Sequence, residues 1–315
     1  MVEVDMMGST IHNWDMLERG YTMHHAISQD KQGNILATVS KTSAKIANGK
    51  DVRINDFIIM MDPEKGEILQ EWDLVHMLDS ARYGMTDYDL TSDPFAQSAS
   101  NWAHNNGIVE WGDDYLATAR YQGIFKFNKA GGIEWIISPH GYWRDKYLKL
   151  LLNPLHADGT PITDPEVIAG TKNCDDFEWP WGCHTAVPLP NGHILYFNNG
   201  YGRNFKLDFT DRKNIYTCGI EYEVDEVNRT VRQVWQYGKE RGAAYFTPAR
   251  SGVQYLEQTG NRLICPGMSN VLSNGNRGAR VTEVDPETQD VVFELELEDA
   301  IYQRVYRMSL YPENQ

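Results

Sequence analysis

The sequence predicts an all-β protein, a β-propeller of four-stranded units, and three observations carry the prediction. A hairpin whose turn holds Asp or Asn, returning on a strand with Trp or Phe, occurs five times. A second hairpin, turning on Gly, occurs four times between these copies. The two types alternate, so each pair makes one four-stranded unit, the propeller blade. Turn residues of this kind between apolar runs mark antiparallel hairpins. A β-sandwich would not require two turn chemistries in strict alternation.

The first Asp hairpin runs from Val4-Asp5-Met6-Met7-Gly8 to Trp14. It is the outer half of a unit whose inner strands do not precede it. Either Tyr302–Tyr311 supplies an inner strand and closes the ring, or an N-terminal portion is absent, and the second is expected. The first Gly turn is Gln32-Gly33-Asn34, leading into Ile35–Val39, and Met61–Gly66 then turns towards Trp72. Leu74–Trp102 breaks the rhythm as an insertion. The next unit has Trp111-Gly112-Asp113 before Tyr115–Ala119, then Phe127–Gly131 before Trp135. Ser138–Gly182 is a second insertion, with a helical-looking Tyr142–Leu152. Asn191-Gly192-His193 precedes Ile194–Phe197, and Val224–Asn228 turns to Trp235. Thr259-Gly260-Asn261 precedes Leu263–Cys265, and Val284–Thr288 turns to Phe293. About five units are visible in one catalytic domain spanning 1–315. Long insertions on a rigid scaffold are where binding loops usually lie.

Composition excludes several classes. With 44 acidic and 29 basic residues the formal charge is −15. Nucleic-acid binding rests on Lys and Arg neutralising phosphate, and docking on anionic lipid needs basic clusters, so neither partner is expected. No apolar run approaches the ~20 residues of a membrane span. The chain opens Met-Val-Glu-Val-Asp-Met-Met-Gly, without the basic and apolar regions of a signal peptide. Apolar residues make up 41%, with 9 Trp, 17 Tyr and 10 Phe, enough to build a core.

Of the four cysteines, Cys218 and Cys265 sit in strand-like runs and read as buried thiols. Cys174 and Cys183 flank an aromatic loop and can pair in an oxidising compartment. Neither has CxxC spacing, so a zinc site is not expected from them.

The histidines keep register with the repeat. His25, His104 and His184 each lie eight residues before a turn glycine, Gly33, Gly112 and Gly192. The same step from Gly260 lands on Gly252. Innermost strands converge on the channel of a propeller, so these three imidazoles should share one central cavity. His24 would point to the opposite strand face from His25. His12, His76, His140, His156 and His193 show no register and read as structural. Asn106 shares the face of His104 by the period of two. Arg120 ends the returning arm of that hairpin and can present a planar fork to an oxyanion. Arg203, in Asn-Asn-Gly-Tyr-Gly-Arg, takes a comparable place in the third unit, either towards substrate or as a surface hairpin residue.

Three chemistries suit this set. One imidazole can act as a nucleophile while the other histidines and Arg120 hold a transferring anion. Three neutral imidazoles also suit a first-row metal, as in a metal-dependent propeller oxygenase, although Arg120 would be repelled by the ion. A non-catalytic ligand-binding propeller is the third reading.

Several long segments carry a family resemblance. They are Asn101–Asn106, Thr118–Gly123, Trp179–Ala186, Asn198–Arg203, Val231–Gly242 and the Val305–Tyr311 ending. Together they resemble the bacterial arylsulfate sulfotransferases that work without the nucleotide sulfate donor. The resemblance implies a six-bladed propeller with an extra N-terminal β-domain. It also implies a ping-pong transfer of sulfuryl between phenols through a sulfohistidine, with no cofactor and no metal. By motif, His184 resembles the nucleophile, and His104 with Asn106, Arg120 and His25 resemble the groups around it, with His24 and Arg203 beside substrate. A phenolic sulfate donor, a phenol acceptor and a periplasmic or secreted location follow from the resemblance. A homodimer is compatible with it. The chain departs from the pattern at Cys183 for Gln, Tyr121 for His and Cys218-Gly219 for Ser-Arg, and its cysteines are not spaced like the family's disulfide.

Overall fold

Every Gly turn, and every Asp or Asn turn after the first, falls where a repeated meander needs it. The computed structural model describes residues 1–48, 51–82, 102–207, 210, 212–269 and 278–298. The chain divides into two compact units. The first comprises Met1–Asn153, Ile162–Asn173 and Asn204–Lys206; the second comprises Pro154–Pro161, Cys174–Arg203 and Leu207–Gln315.

In the first unit β1 (Val2–Val4) and β2 (Thr10–Asn13) form a two-stranded sheet. Next come β3 (Tyr21–Gln29), β4 (Ile35–Asn48), β5 (Asp51–Met61) and β6 (Ile68–Asp73), joined in chain order as one antiparallel sheet. A second such sheet holds β7 (Asn105–Trp111), β8 (Asp114–Ala119), β9 (Gly123–Phe127) and β10 (Ile133–Ile137). In the second unit the short β11 (Asn153–Leu155) edges a sheet of β12 (His184–Pro188), β13 (Ile194–Asn198), β14 (Cys218–Asp225) and β15 (Thr230–Tyr237). The last sheet is β16 (Ser251–Tyr255), β17 (Arg262–Pro266), β18 (Ala279–Val284) and β19 (Val291–Leu297).

Gly33, Gly112, Gly192 and Gly260 each turn the chain between the first and second strand of a sheet, at φ between 65° and 89°. That left-handed conformation is open to glycine without a Cβ penalty. The Asp and Asn turns join third to fourth strands in all four sheets, and the first of the five joins β1 to β2 alone. Burial falls across a meander: β13 and β17 are buried throughout, whereas six of the seven residues of β19 are exposed. The second strand is therefore central, and the fourth is an edge except where β11 lies beside β15.

Aromatic residues on the outer strands join sheets within a unit. Trp72 of β6 packs on Tyr115 and Phe127 at centroid separations of 4.9 and 5.4 Å, and its indole N–H donates to Lys129 O at 3.0 Å. Fully burying a large apolar side chain contributes about 1.5–3 kcal/mol. In the second unit Phe197, Tyr237, Val253, Ile264 and Val284 share one cluster, and Arg262 reaches Glu221 at 2.6 Å from the neighbouring sheet.

The insertions differ from expectation in detail. Helix in Tyr142–Leu152 is limited to the single turn Asp145–Leu148. Tyr142 has φ 66°, which breaks the run at its start. At its end Leu150 and Leu152 bond to Ile136 of β10, so that half is drawn onto a sheet edge. Of Leu74–Trp102, residues 83–101 lie outside the described residues, as does the expected closing strand Tyr302–Tyr311. Cys174 and Cys183 are both free thiols, so the pairing that an oxidising compartment would allow is not made; the Cys174 Sγ donates to Asp176 at 3.1 Å. Cys218 and Cys265 are buried in β14 and β17 as read, and burial pushes the Cys218 thiol pKa well up. Among the described residues no helix is long and apolar enough to cross a membrane.

Candidate active site

The first strand of three sheets is irregular where the register histidines sit. Pairing shifts between Met23 and Ile27 in β3, between Asn105 and Gly107 in β7, and between His184 and Ala186 in β12. A bulge of this kind bends a strand and re-aims its side chains, often beside a site. The backbone is left-handed at His25 (φ 53°), His104 (φ 54°) and Thr185 (φ 45°). Such a conformation costs about 1–3 kcal/mol at a non-glycine residue and persists only where the surroundings over-determine it.

In the first unit these bulges bring His24, His25 and His104 into one chain of rings. His24 Nδ1 lies 3.0 Å from His25 Nδ1, and His25 Nε2 lies 3.2 Å from His104 Nε2. The expectation that His24 faces away from His25 fails because the left-handed His25 breaks strand alternation. Each nitrogen pair needs one donor and one acceptor, so the tautomers of the three rings are linked. Asp56, buried in β5, terminates the chain: its carboxylate stands 3.5 Å from His24 Nε2 and accepts the Asn105 backbone N–H at 2.8 Å. His25 is exposed and His104 half-buried.

Arg120 is placed opposite His104 by the backbone. Its N–H donates to the His104 carbonyl at 3.0 Å, and its buried guanidinium lies over the Tyr121 ring at 5.8 Å. Tyr121 thus does aromatic work where the resemblance led one to expect His. Asn106 occupies the β7 bulge, so the alternation that would place it on the face of His104 is interrupted. Its Oδ1 accepts from Thr118 Oγ1 at 2.7 Å in a buried setting.

In the second unit His184 is buried, with 5% of its surface exposed, and one ring nitrogen is fixed. Its Nδ1 lies 2.7 Å from Asn199 Oδ1 and 3.2 Å from the Gly182 carbonyl. Both partners only accept, so Nδ1 carries a proton, and in the neutral ring Nε2 then carries the lone pair. The Asn199 orientation that this requires is itself fixed. Its Nδ2 donates to Thr247 O at 2.9 Å, and its Oδ1 also accepts from Ser251 Oγ at 3.3 Å. Gly200 sits at φ 68°, and a Cβ there would overlap the Tyr216 carbonyl. Only glycine holds this turn beside Asn199.

Ser251 fills the fourth register position. The loop of residues 256–261 between β16 and β17 is one residue longer than the loops of 30–34 and 189–193. Stepping eight back from Gly260 therefore stops one residue short, at Gly252. The true counterpart of His25 and His184, four residues before the strand end, is Ser251.

Arg203 has a different setting from the one its motif suggested. It is buried, its Nη1 pairs with the buried Glu178, and its guanidinium stacks on Tyr216 at 3.9 Å. The Tyr216 hydroxyl also reaches Glu178, and Lys239 Nζ lies 3.3 Å from it. Burial pulls the Arg203 pKa down, but Glu178 together with the nearby Tyr216 and Cys218 outweighs it and the net shift is upward. This cluster ties the Asn198–Arg203 turn to the aromatic loop before His184.

Known proteins bear on this geometry. A family model described as Arylsulfotransferase (ASST) matches residues 1–307. The chain belongs to the arylsulfotransferase family. Two curated proteins similar to it are each called arylsulfate sulfotransferase AssT. The one from Escherichia coli O6:H1 (strain CFT073) is 29% identical over 98% of this chain, and that from Lelliottia amnigena is 30% identical over 98%. This arylsulfotransferase-family chain spans 56% of the length of either relative. Sequence reasoning marked His24, His25, His104, Asn106, Arg120, His184 and Arg203, and missed Asp56, Glu178, Asn199 and Ser251. Only Asn199 left a signal, as half of the Asn-Asn pair before Gly200.

Proposed function

We propose that this chain carries the catalytic centre of an arylsulfate sulfotransferase, moving a sulfuryl group from an aryl sulfate to a phenol through a sulfohistidine on His184. The observation that carries the reading is the fixed His184 tautomer, Nδ1 held by Asn199 and Gly182 so that Nε2 is the nucleophilic nitrogen. In the first half-reaction the Nε2 lone pair bonds to sulfur as the bond from sulfur to the aryl oxygen breaks. Transfers of this kind pass through a loose transition state, so the protein's work is placement and charge stabilisation. As positive charge grows on the ring, the Nδ1–H bonds to Asn199 and Gly182 strengthen. Arg120, His104 and His25 are read as donors to the sulfuryl oxygens. A proton leaves the histidine row at His104 for the departing phenolate, and the acceptor phenol returns one in the second half-reaction.

The reading takes each four-stranded meander as one blade of a six-bladed propeller in a single domain, its first strand innermost. Asn106 and His24 support substrate, whereas Arg203, paired with Glu178, is read as holding its turn. A periplasmic or secreted setting and no cofactor complete the reading. Incubation with a chromogenic aryl sulfate, with and without an acceptor phenol, tests it. Expected is phenol release that accelerates with acceptor. Release indifferent to acceptor, or none from folded protein, contradicts it.

A further inference from the structure

Apart from the register histidines, one cluster of the second unit gathers three different metal-binding side chains. His156, Cys174 and Asp176 each offer a ligand atom, and these atoms lie within 4.8 Å of one another. His156 was read as structural and Cys174 as a thiol able to pair with Cys183 in an oxidising compartment, and neither reading accounts for their meeting. We propose that His156 Nδ1, Cys174 Sγ and Asp176 form a zinc-binding site with a fourth position left to water.

The donor set decides the metal. A thiolate, an imidazole and a carboxylate match zinc, whereas calcium and magnesium take all-oxygen sets. Tetrahedral bonds of about 2.0–2.3 Å place neighbouring ligand atoms roughly 3.3–3.6 Å apart. Here Asp176 Oδ1 stands 3.0 Å from His156 Nδ1 and 3.1 Å from Cys174 Sγ. In these two pairs the ligand atoms need to part by only a few tenths of an ångström to admit the ion, and His156 Nδ1 and Cys174 Sγ lie within 4.8 Å of each other. At present protons occupy the contacts, with the thiol and the Nδ1–H both donating to the carboxylate.

The ligands are held by their own backbone. His156 opens a tight turn in which its N–H donates to Thr160 O at 2.8 Å and its carbonyl accepts from Gly159 N at 2.9 Å. Asp158 braces that turn through the Thr160 N–H and hydroxyl, at 2.9 and 2.6 Å. The second Asp176 oxygen accepts the Ala157 N–H at 2.9 Å, which orients the carboxylate as an outer-shell partner does. Cys174 and Asp176 are two residues apart, so one short loop supplies two ligands and the turn supplies the third. Binding releases the Cys174 thiol proton and moves the His156 proton from Nδ1 to Nε2, leaving a neutral imidazole on the metal. The ion would tie the loop at 174–176 to the turn at 156–160.

The test uses the whole chain, reduced, stripped with chelator and titrated with cobalt and then zinc. Expected is one equivalent of cobalt with a thiolate-to-cobalt charge-transfer band, displaced by zinc, together with protection of Cys174 from alkylation by either ion. Cys174→Ala should abolish the band, and Asp176→Asn should weaken zinc binding on the order of 100-fold or more, exceeding outer-shell losses. The alkylation readout uses the unmutated protein, so a variant that fails to fold leaves the result intact. Absence of the band in folded chain, or alkylation of Cys174 at the same rate with and without metal, overturns the proposal.

Discussion

His104 and His184 stand the same eight residues before a turn glycine in successive meanders, yet their surroundings make them different reagents. His104 is half-buried and shares a nitrogen contact with His25, which in turn meets His24. A proton can be on either side of each such contact, so this row suits donation and recharge. His184 is buried against two acceptors, and its proton has one place to be. A ring locked in this way keeps one nitrogen available for attack. The difference teaches that register selects where an imidazole points, while the neighbours of its second nitrogen select what it does.

Four substitutions and one titration would sharpen or break that contrast. Replacing His184 with Asn removes the locked nitrogen, and turnover should fall by roughly 10⁶-fold, the scale seen when another enzyme loses its nucleophile. Steady-state assay on protein of unchanged circular dichroism measures it. A fall of less than a hundredfold would transfer the nucleophile's role elsewhere. Arg203→Ala removes the buried guanidinium from Glu178, leaving it only the Tyr216 hydroxyl and the half-exposed Lys239, and the fold should lose about 3–5 kcal/mol, read by chemical denaturation. A variant of full stability whose KM for the donor rises would return Arg203 to substrate binding.

Arg120→Ala should slow turnover by ~10²–10³, one lost oxyanion donor, while the sulfated enzyme still forms at long times. Rapid quench separates the two steps. Asn199→Ala releases the His184 tautomer without removing the nucleophile, and kcat should drop about 10²-fold, the scale of slight misplacement, with KM little changed. If Asn199→Ala leaves kcat intact, the Gly182 carbonyl alone holds the ring and the contrast with His104 is weaker than drawn.

The smallest effect concerns acid stability. Burial lowers the His140 pKa, Arg82 lowers it further, and the Leu152 carbonyl offsets part of this. The folded state therefore binds fewer protons than the unfolded chain, so stability rises with pH through this window. The contribution is fully present above the ordinary histidine pKa of about 6.5 and is lost as pH falls from there towards the folded value. Thermal melts across that range should show a slope that His140→Gln reduces. An unchanged slope would remove His140 from the account.

The repeat was legible because turns are local. Gly33, Gly112, Gly192 and Gly260 announce left-handed turns, and Trp72 and Phe127 announce the strands that pack on neighbours. The register that located His25, His104 and His184 is a consequence of that same spacing. What escaped was set by long-range pairing or by irregular backbone. Asp56 meets His24 only through the β4–β5 hairpin, and Glu178 reads in sequence as one acid inside an aromatic run. Ser251 was hidden by a single extra loop residue. His24 was misdirected because strand alternation was applied across a bulge, and Tyr142–Leu152 because its leucines pack on β10 although their spacing suits a helix. His156 and Cys174 meet through a turn that no spacing rule describes.

The central claim is that His184 carries the sulfuryl group between donor and acceptor. Incubating the protein with an aryl sulfate alone, quenching at neutral to alkaline pH and mapping peptides by mass spectrometry tests it most directly. The account predicts a mass gain of one SO₃ on the peptide containing His184, removed when a phenol is added. The same gain on His104, His25 or any other residue, or turnover with no modified peptide, would contradict it.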